Sequence, residues 1–311
     1  MQISVASSSL LAVPVIEAIL ASEHSLASII TTPDRKVGRG QNLAATEIAQ
    51  WAQERAILVS KPDSTSTLNQ HLLQAQPQLI ITLSYGRMIP VEVLHGPRYG
   101  WLNVHFSLLP RWRGAAPVQW ALLSGDTHTG ISIFKLDKGM DTGPLYYQEE
   151  VLISPSDRTQ DLLHSMSELA GSRIMSVVHE ISRGAKPKPQ PSAGVTLAPK
   201  IHKDDAQLDW SQSAEQILRQ SRALMDRPGT WSTFRGDRIG IGALIETLQT
   251  NSLEAIGQIS CEDGKLLIRC SDSVLEIVEV TPSGKKKMSG ADFARGARLE
   301  KGEVFALKKA D

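Results

Sequence analysis

Over residues 1 to 182 short apolar runs alternate with longer amphipathic ones, and no other feature restricts the fold of this chain as much. "ISVAS", "SLASIITT", "QLIITLS", "GWLNVHF" and "TGISIFKL" are short and rich in Ile, Val and Leu, the pattern of strands buried on both faces. Between them, residues 14 to 22, 43 to 55, 66 to 75 and 115 to 123 predict helices, the first with Pro14 placed for a first turn. Residues 158 to 182 set Leu162, Met166, Leu169, Ile174, Val177 and Ile181 along one apolar stripe of a long helix, which Gly184 can stop. The alternation predicts an α/β domain, a parallel sheet covered by helices.

The pattern breaks at "RGAKPKPQPSAGVTLAPK", where prolines replace apolar periodicity and a semi-extended linker is expected. Beyond it "DWSQSAEQILRQSRAL" reads as a capped amphipathic helix. From about residue 229 short alternating runs follow, "GTWSTF", "RIGIGALIE", "AIGQISCEDGKLLIRC" and "SVLEIVEV", separated by turns such as "EDG" and "PSGK". They predict a small antiparallel sheet or barrel. A chain of 311 residues has room for two domains, and the expected division is 1–183, a linker over 184–207, and 208–311.

The opening "MQISVASSSLLAVPVIEAIL" lacks a basic start and is interrupted by Pro14 and Glu17, so it reads as a strand entering a helix and not as a signal peptide. No apolar stretch approaches the roughly 20 residues that span a bilayer. Cys261 and Cys270 are the only cysteines and stand at no metal-ligand spacing, so neither a disulfide framework nor a metal is expected, and a reducing cytoplasm fits. Lys and Arg number 33 and Asp and Glu 33, which argues against a protein that coats nucleic acid with its whole surface. Local basic patches remain open.

In "GWLNVHF", read as a strand, Asn103 and His105 share one face, roughly 6 to 7 Å apart. An isolated Asn-x-His at a strand end more often caps loop backbone. Here it leads into "SLLPRWRGAAP", where Pro110 and Pro117 fix the backbone while Gly114 frees it. A second polar cluster, "DKGMDTG", follows the next apolar run, with Gly139 and Gly143 flanking Asp141. Either Asp137 or Asp141 alone would more often be a turn residue. An amide, an imidazole and a carboxylate, all at carboxyl ends of strands in one sheet, would converge on one cleft. That trio suits acyl transfer to an amine: Asn103 and a protonated His105 stabilise an oxyanion, each donor contributing about 3 kcal/mol if preorganised. Asp141 favours the protonated ring and helps to remove a proton from the attacking ammonium. Ser107 has no evident base and reads as a loop residue, not a nucleophile.

"LNVHFSLLPRWRGAAPVQWALLSGDTHTGISIFKLDKGMDTGPL" resembles the core of the methionyl-tRNA formyltransferases, a branch of the folate-dependent formyltransferase family. "TTPDRKVGRGQNL", "YGRMIP", "LAPKIHKDDAQLDWSQSAEQI", "RPGTW" and "GKKKMSGADFARG" extend the resemblance over nearly the whole chain. It implies a Rossmann-like catalytic domain, a linker and a small OB-like tRNA-binding barrel. It implies 10-formyltetrahydrofolate as formyl donor, with no metal, and the α-amine of initiator methionyl-tRNA as acceptor, in a cytoplasmic monomer. Asn103, His105 and Asp141 match the family's catalytic trio. Ser107, Leu108, Leu109 and Pro110 match its folate-binding segment, and Tyr85, Gly86 and Ile89 would line the pterin pocket. The chain departs from the family at Ser7, Ser8 and Ser9, where a glycine-containing turn is usual, and at Phe106, where a small residue is usual.

Three basic runs become a path for tRNA phosphates under that resemblance, though each alone reads as solvated surface. Arg35, Lys36 and Arg39 lie in an early loop, Lys186, Lys188 and Lys203 lie in the linker, and Lys285, Lys286 and Lys287 sit near the end. The rival readings are a formyltransferase of amino-sugar nucleotides, which shares the trio but has less use for these runs, and a non-catalytic RNA-binding relative. Glycinamide ribonucleotide formyltransferase shares the trio too, but is usually a single shorter domain.

Overall fold

The computed structural model describes residues 1–37, 41–247 and 253–308. Along the chain run β1 (Gln2–Ala6), α1 (Val13–Leu20), β2 (Ser25–Ile30), a hairpin of β3 (Arg35–Val37) and β4 (Asn42–Ala44), α2 (Glu47–Gln53), β5 (Val59–Ser60) and α3 (Thr65–Ala75). Then come β6 (Leu79–Thr82), a short α4 (Val91–Leu94), β7 (Trp101–His105), β8 (Arg113–Gly114), α5 (Pro117–Ser124), β9 (His128–Lys135), β10 (Leu145–Leu152), α6 (Thr159–Ser182) and β11 (Leu197–Ala198). These, with the strands described below, divide between two compact units: one of 1–117, 127–153 and 161–199, the other of 118–126, 154–160 and 200–311.

The first unit is built on a seven-stranded sheet of order β10-β9-β7-β6-β1-β2-β5. Strands β5, β2, β1, β6 and β7 are parallel, and the Ile, Val and Leu side chains of β1, β6 and β7 are buried, as continuous apolar runs require, while Leu26 of β2 and Val59 of β5 are half-buried. The fold is therefore α/β with a mostly parallel, Rossmann-like sheet, as expected. Two expectations are corrected. "TGISIFKL" forms β9, which pairs antiparallel with β7, and β10 continues the antiparallel edge. The helix expected from residue 43 begins at Glu47, because Asn42–Ala44 pair with Arg35–Val37 and Thr46 caps the helix through the Ala49 N–H.

Serines close the turn after β1. The Ser7 N–H donates to the Ile30 carbonyl at 2.9 Å, the Ser8 hydroxyl to the Tyr85 carbonyl at 3.0 Å, and Ser9 caps the Leu11 N–H. The proline-rich stretch runs along this unit: Leu145 and Lys188 exchange backbone hydrogen bonds at 2.7 Å, and β11 lies parallel to β8.

In the second unit α7 (Ala214–Leu224), capped by Ser213 with Gln216, precedes β12 (Trp231–Phe234), β13 (Asp237–Ile241), β14 (Leu244–Glu246), β15 (Ile259–Glu262) and β16 (Lys265–Arg269). Strands β17 (Val274–Ile277), β18 (Glu279–Pro282) and β19 (Met288–Ser289) and helix α8 (Gly290–Ala297) complete it. Two antiparallel sheets, β12-β13-β18-β19 and β14-β17-β16-β15, enclose one core around Trp210, Phe234, Phe293 and Phe305. The Trp210 indole N–H, buried there, donates to Ser232 Oγ at 2.9 Å.

Candidate active site

Asn103 and His105 alternate along β7, the last of the parallel strands, so both project on one side of it. The Thr82 hydroxyl of β6 lies 2.9 Å from Asn103 Oδ1 and 2.9 Å from the Leu102 carbonyl. With its oxygen at Thr82, the Asn103 amide turns its two N–H donors elsewhere.

His105 is 6% exposed, and its Nε2 lies 2.8 Å from the Trp112 carbonyl. A carbonyl only accepts, so Nε2 carries a hydrogen and Nδ1 faces the other way. Nδ1 stands 3.7 Å from Asp141 Oδ2. That is too long for a hydrogen bond but close enough for attraction when the ring is protonated. The Phe134 ring meets the imidazole edge-on, centroids 6.5 Å apart.

Asp141 does not arrive by the expected route. Leu102 pairs with Lys135 and His105 with Ser132, so the carboxyl end of β9 lies beside the amino end of β7. Asp141 does follow the carboxyl end of a strand of the same sheet, but because β9 runs antiparallel to β7 that end lies away from His105, and the connection has to carry the carboxylate back. It reaches His105 within the 136–144 connection, at a left-handed φ of +51°, and its Oδ2 accepts from the Gly114 N–H at 2.8 Å.

The loop after His105 is tied down from within. Ser107 Oγ donates to the Arg111 carbonyl at 2.6 Å, which occupies the hydroxyl and agrees with a structural role. Ser132 Oγ donates to the Ser107 carbonyl and accepts from the Leu109 N–H, while Gln148 Nε2 donates to Ser132 Oγ and to the Leu109 carbonyl. Leu109 and Pro110 are buried and Leu108 is half-buried; Phe106, 5% exposed, is buried too. Tyr85 packs against Ala6, Ile30, Leu68 and Ile80, and burial pushes its phenol up, keeping it protonated. Gly86, at φ +74° with open space beside it, is exposed, and Ile89 packs on the same cluster as Tyr85.

Of the basic residues singled out in the sequence, Arg35, Lys36, Lys186 and Lys188 are exposed on the first unit and Lys203, Lys285, Lys286 and Lys287 on the second. Arg39 lies outside the described residues. Cys270 offers no nucleophile: it is buried in the second unit's core, and its thiol is pushed up to about 12. Sequence reasoning missed Thr82, Ser132, Gln148 and the Gly114 N–H. For Thr82 and Ser132 the visible signal was a single polar letter inside an apolar strand.

The formyl transferase family model matches residues 1–178, and the model of the formyl transferase C-terminal domain matches residues 200–298. The methionyl-tRNA formyltransferase of Salinispora tropica is 37% identical over 310 residues, covering 98% of this chain and 100% of that protein. That of Thermobifida fusca is 40% identical over 298 residues, covering 94% of this chain and 96% of that protein. Among solved structures, HypX from Aquifex aeolicus in complex with tetrahydrofolic acid superposes with a TM-score of 0.67 at 17% identity, over 99% of this chain and 51% of that one. At that identity the likeness is one of fold, and it spans about half of HypX.

Proposed function

The chain belongs to the methionyl-tRNA formyltransferase family, and on that premise we propose that Asn103, His105 and Asp141 carry out its reaction. The reaction moves the formyl group of 10-formyltetrahydrofolate to the α-amine of methionine on initiator tRNA, which then serves translation initiation. The observation that carries the assignment is one juxtaposition: His105 Nδ1 and Asp141 Oδ2, 3.7 Å apart, beside an Asn103 whose amide oxygen is bonded to Thr82.

The neutral α-amine attacks the formyl carbon; a C–N bond forms and the carbonyl pair moves onto oxygen. The Asn103 amide and a protonated His105 Nδ1 donate to that oxygen, each contributing about 3 kcal/mol. The pair on oxygen then re-forms the C=O bond as the bond from the formyl carbon to N10 breaks; the pair of that bond stays on N10, which takes a proton, and tetrahydrofolate leaves. The net proton movement runs from the attacking nitrogen to N10. His105 Nδ1 and Asp141 form the relay for it, since Nε2 is held by the Trp112 carbonyl.

Ser107, Leu108, Leu109 and Pro110 would wall the folate site, and Tyr85, Gly86 and Ile89 would line its pterin end; the exposed, open backbone at Gly86 suits close approach of a flat ring. Bound there, the folate supplies an activated formyl group. Residues 1–183 form the catalytic domain, 184–207 the linker, and 208–311 the tRNA-binding domain. Arg35, Lys36, Arg39, Lys186, Lys188, Lys203, Lys285, Lys286 and Lys287 contact tRNA phosphates, which their exposure, where it is described, allows. The enzyme works as a monomer in the cytoplasm, in keeping with its two unpaired cysteines.

Purified protein supplied with 10-formyltetrahydrofolate is offered methionyl initiator tRNA and an amino-sugar nucleotide in parallel. Formylation of the tRNA is expected. Transfer to the sugar alone, or to neither, overturns the proposal.

A further inference from the structure

One polar side chain of the proline-rich stretch reaches into the framework of the site. Gln190 Oε1 accepts from Arg113 Nε at 3.1 Å and from Arg113 Nη2 at 2.6 Å, while its Nε2 donates to the Asp141 and Gly143 carbonyls, each at 2.8 Å. The amide has two N–H donors and one oxygen with two lone pairs, so all its capacity is used. Its orientation follows from its partners: rotated by half a turn, it would set N–H against guanidinium and oxygen against two carbonyls.

We infer that Gln190 is a positioning residue for Asp141, an inference that rests on Asp141 belonging to the proton relay. Asp141 sits at φ +51°, a conformation that a non-glycine residue keeps only when its surroundings impose it. Gln190 grips the backbone on both sides of Thr142 and so imposes it. The same amide holds Arg113, whose neighbour Gly114 donates its N–H to Asp141 Oδ2. A single side chain thus ties the backbone beneath the carboxylate to the strand that supplies the carboxylate's hydrogen bond.

Gln190→Glu keeps the length but turns an acceptor toward the two carbonyls. With a displacement approaching 1 Å costing up to about a hundredfold, kcat is expected to fall by about ten- to a hundredfold, with KM for both substrates within about twofold of wild type. Because the effect runs through Asp141, Gln190→Glu placed on Asp141→Asn should cost almost nothing more. Should the glutamate variant unfold, Gln190→Met, which removes the bonds without adding charge, takes its place in the same cycle. An inactive Asp141→Asn beside a wild-type kcat at position 190, or losses that multiply fully in the double variant, overturn the inference and leave the relay standing. A wild-type kcat for Asp141→Asn overturns the relay itself, and the inference with it.

Discussion

At Asn103 the end of the amide left for a reacting oxygen is chosen by the next strand, because the Thr82 hydroxyl engages Oδ1. Asn103→Ala should lower kcat by about a hundredfold or more, the usual cost of one oxyanion donor. Thr82→Val removes the orienting bond along with the hydroxyl's contact to the Leu102 carbonyl; the orienting bond is worth about 1 kcal/mol net, so a loss of about fivefold in kcat is expected. A Thr82→Val enzyme as slow as Asn103→Ala would mean that the hydroxyl acts on the substrate directly. Gly114 is constrained more tightly: a Cβ there would stand 2.5 Å from the Ala198 carbonyl oxygen, at φ +130°. Gly114→Ala must push β8 and β11 apart and shift the N–H that holds Asp141. A stability loss of about 1 to 3 kcal/mol in urea titration, together with a fall in kcat, is expected. Stability and kcat both at wild-type levels would show that β11 yields freely. Asn103, His105 and Asp141 were legible because polar letters stood out beside apolar runs. Thr82 and Ser132 were not, because a hydroxyl inside a strand looks the same whether it bonds its own sheet or a neighbour's loop.

Among the elements of the first unit, the five strands read from the sequence were those in the interior of the sheet, where continuous Ile, Val and Leu leave a plain mark. Strand β10, "LYYQEEVL", escaped because an edge strand alternates half-buried with exposed positions and carries charge, as unpaired edges do. The direction of β9 was illegible for another reason: a buried strand has the same composition whichever way it runs. Contacts between elements also carry their own test. On α3, His71 Nε2 lies 2.9 Å from Ser28 Oγ of β2, and burial lowers the pKa of the ring below the ordinary 6.5. The unfolded chain therefore takes up a proton at His71 before the folded one does. Its contribution to stability is present above pH 6.5 and is lost as pH falls below that value. His71→Gln keeps a partner for Ser28 without titrating, so the drop in melting temperature between about pH 7.5 and 5.5 should shrink. An equal drop in both proteins would assign the acid sensitivity to other groups.

For the whole molecule, a net charge of zero means that no overall field draws the chain to a polyanion, so affinity for tRNA has to come from local contacts. The lysines between β18 and β19 are the clearest local set, and they are not equivalent. Lys287 pairs with Glu279 at 2.6 Å, so removing it would leave a bare carboxylate and exaggerate its importance. Lys285→Ala combined with Lys286→Ala avoids that distortion. If phosphates are neutralised, the logarithm of tRNA affinity should fall linearly with the logarithm of salt, by roughly 0.7 to 0.9 per phosphate contacted. The double variant should then lower the slope by about one to two and raise KM for tRNA most at low salt, with KM for 10-formyltetrahydrofolate unchanged. A slope that the variant leaves untouched removes these two lysines from the interface. A wild-type affinity that does not respond to salt removes the phosphate path altogether, and specificity would then have to rest on contacts to the bases and the methionyl end alone.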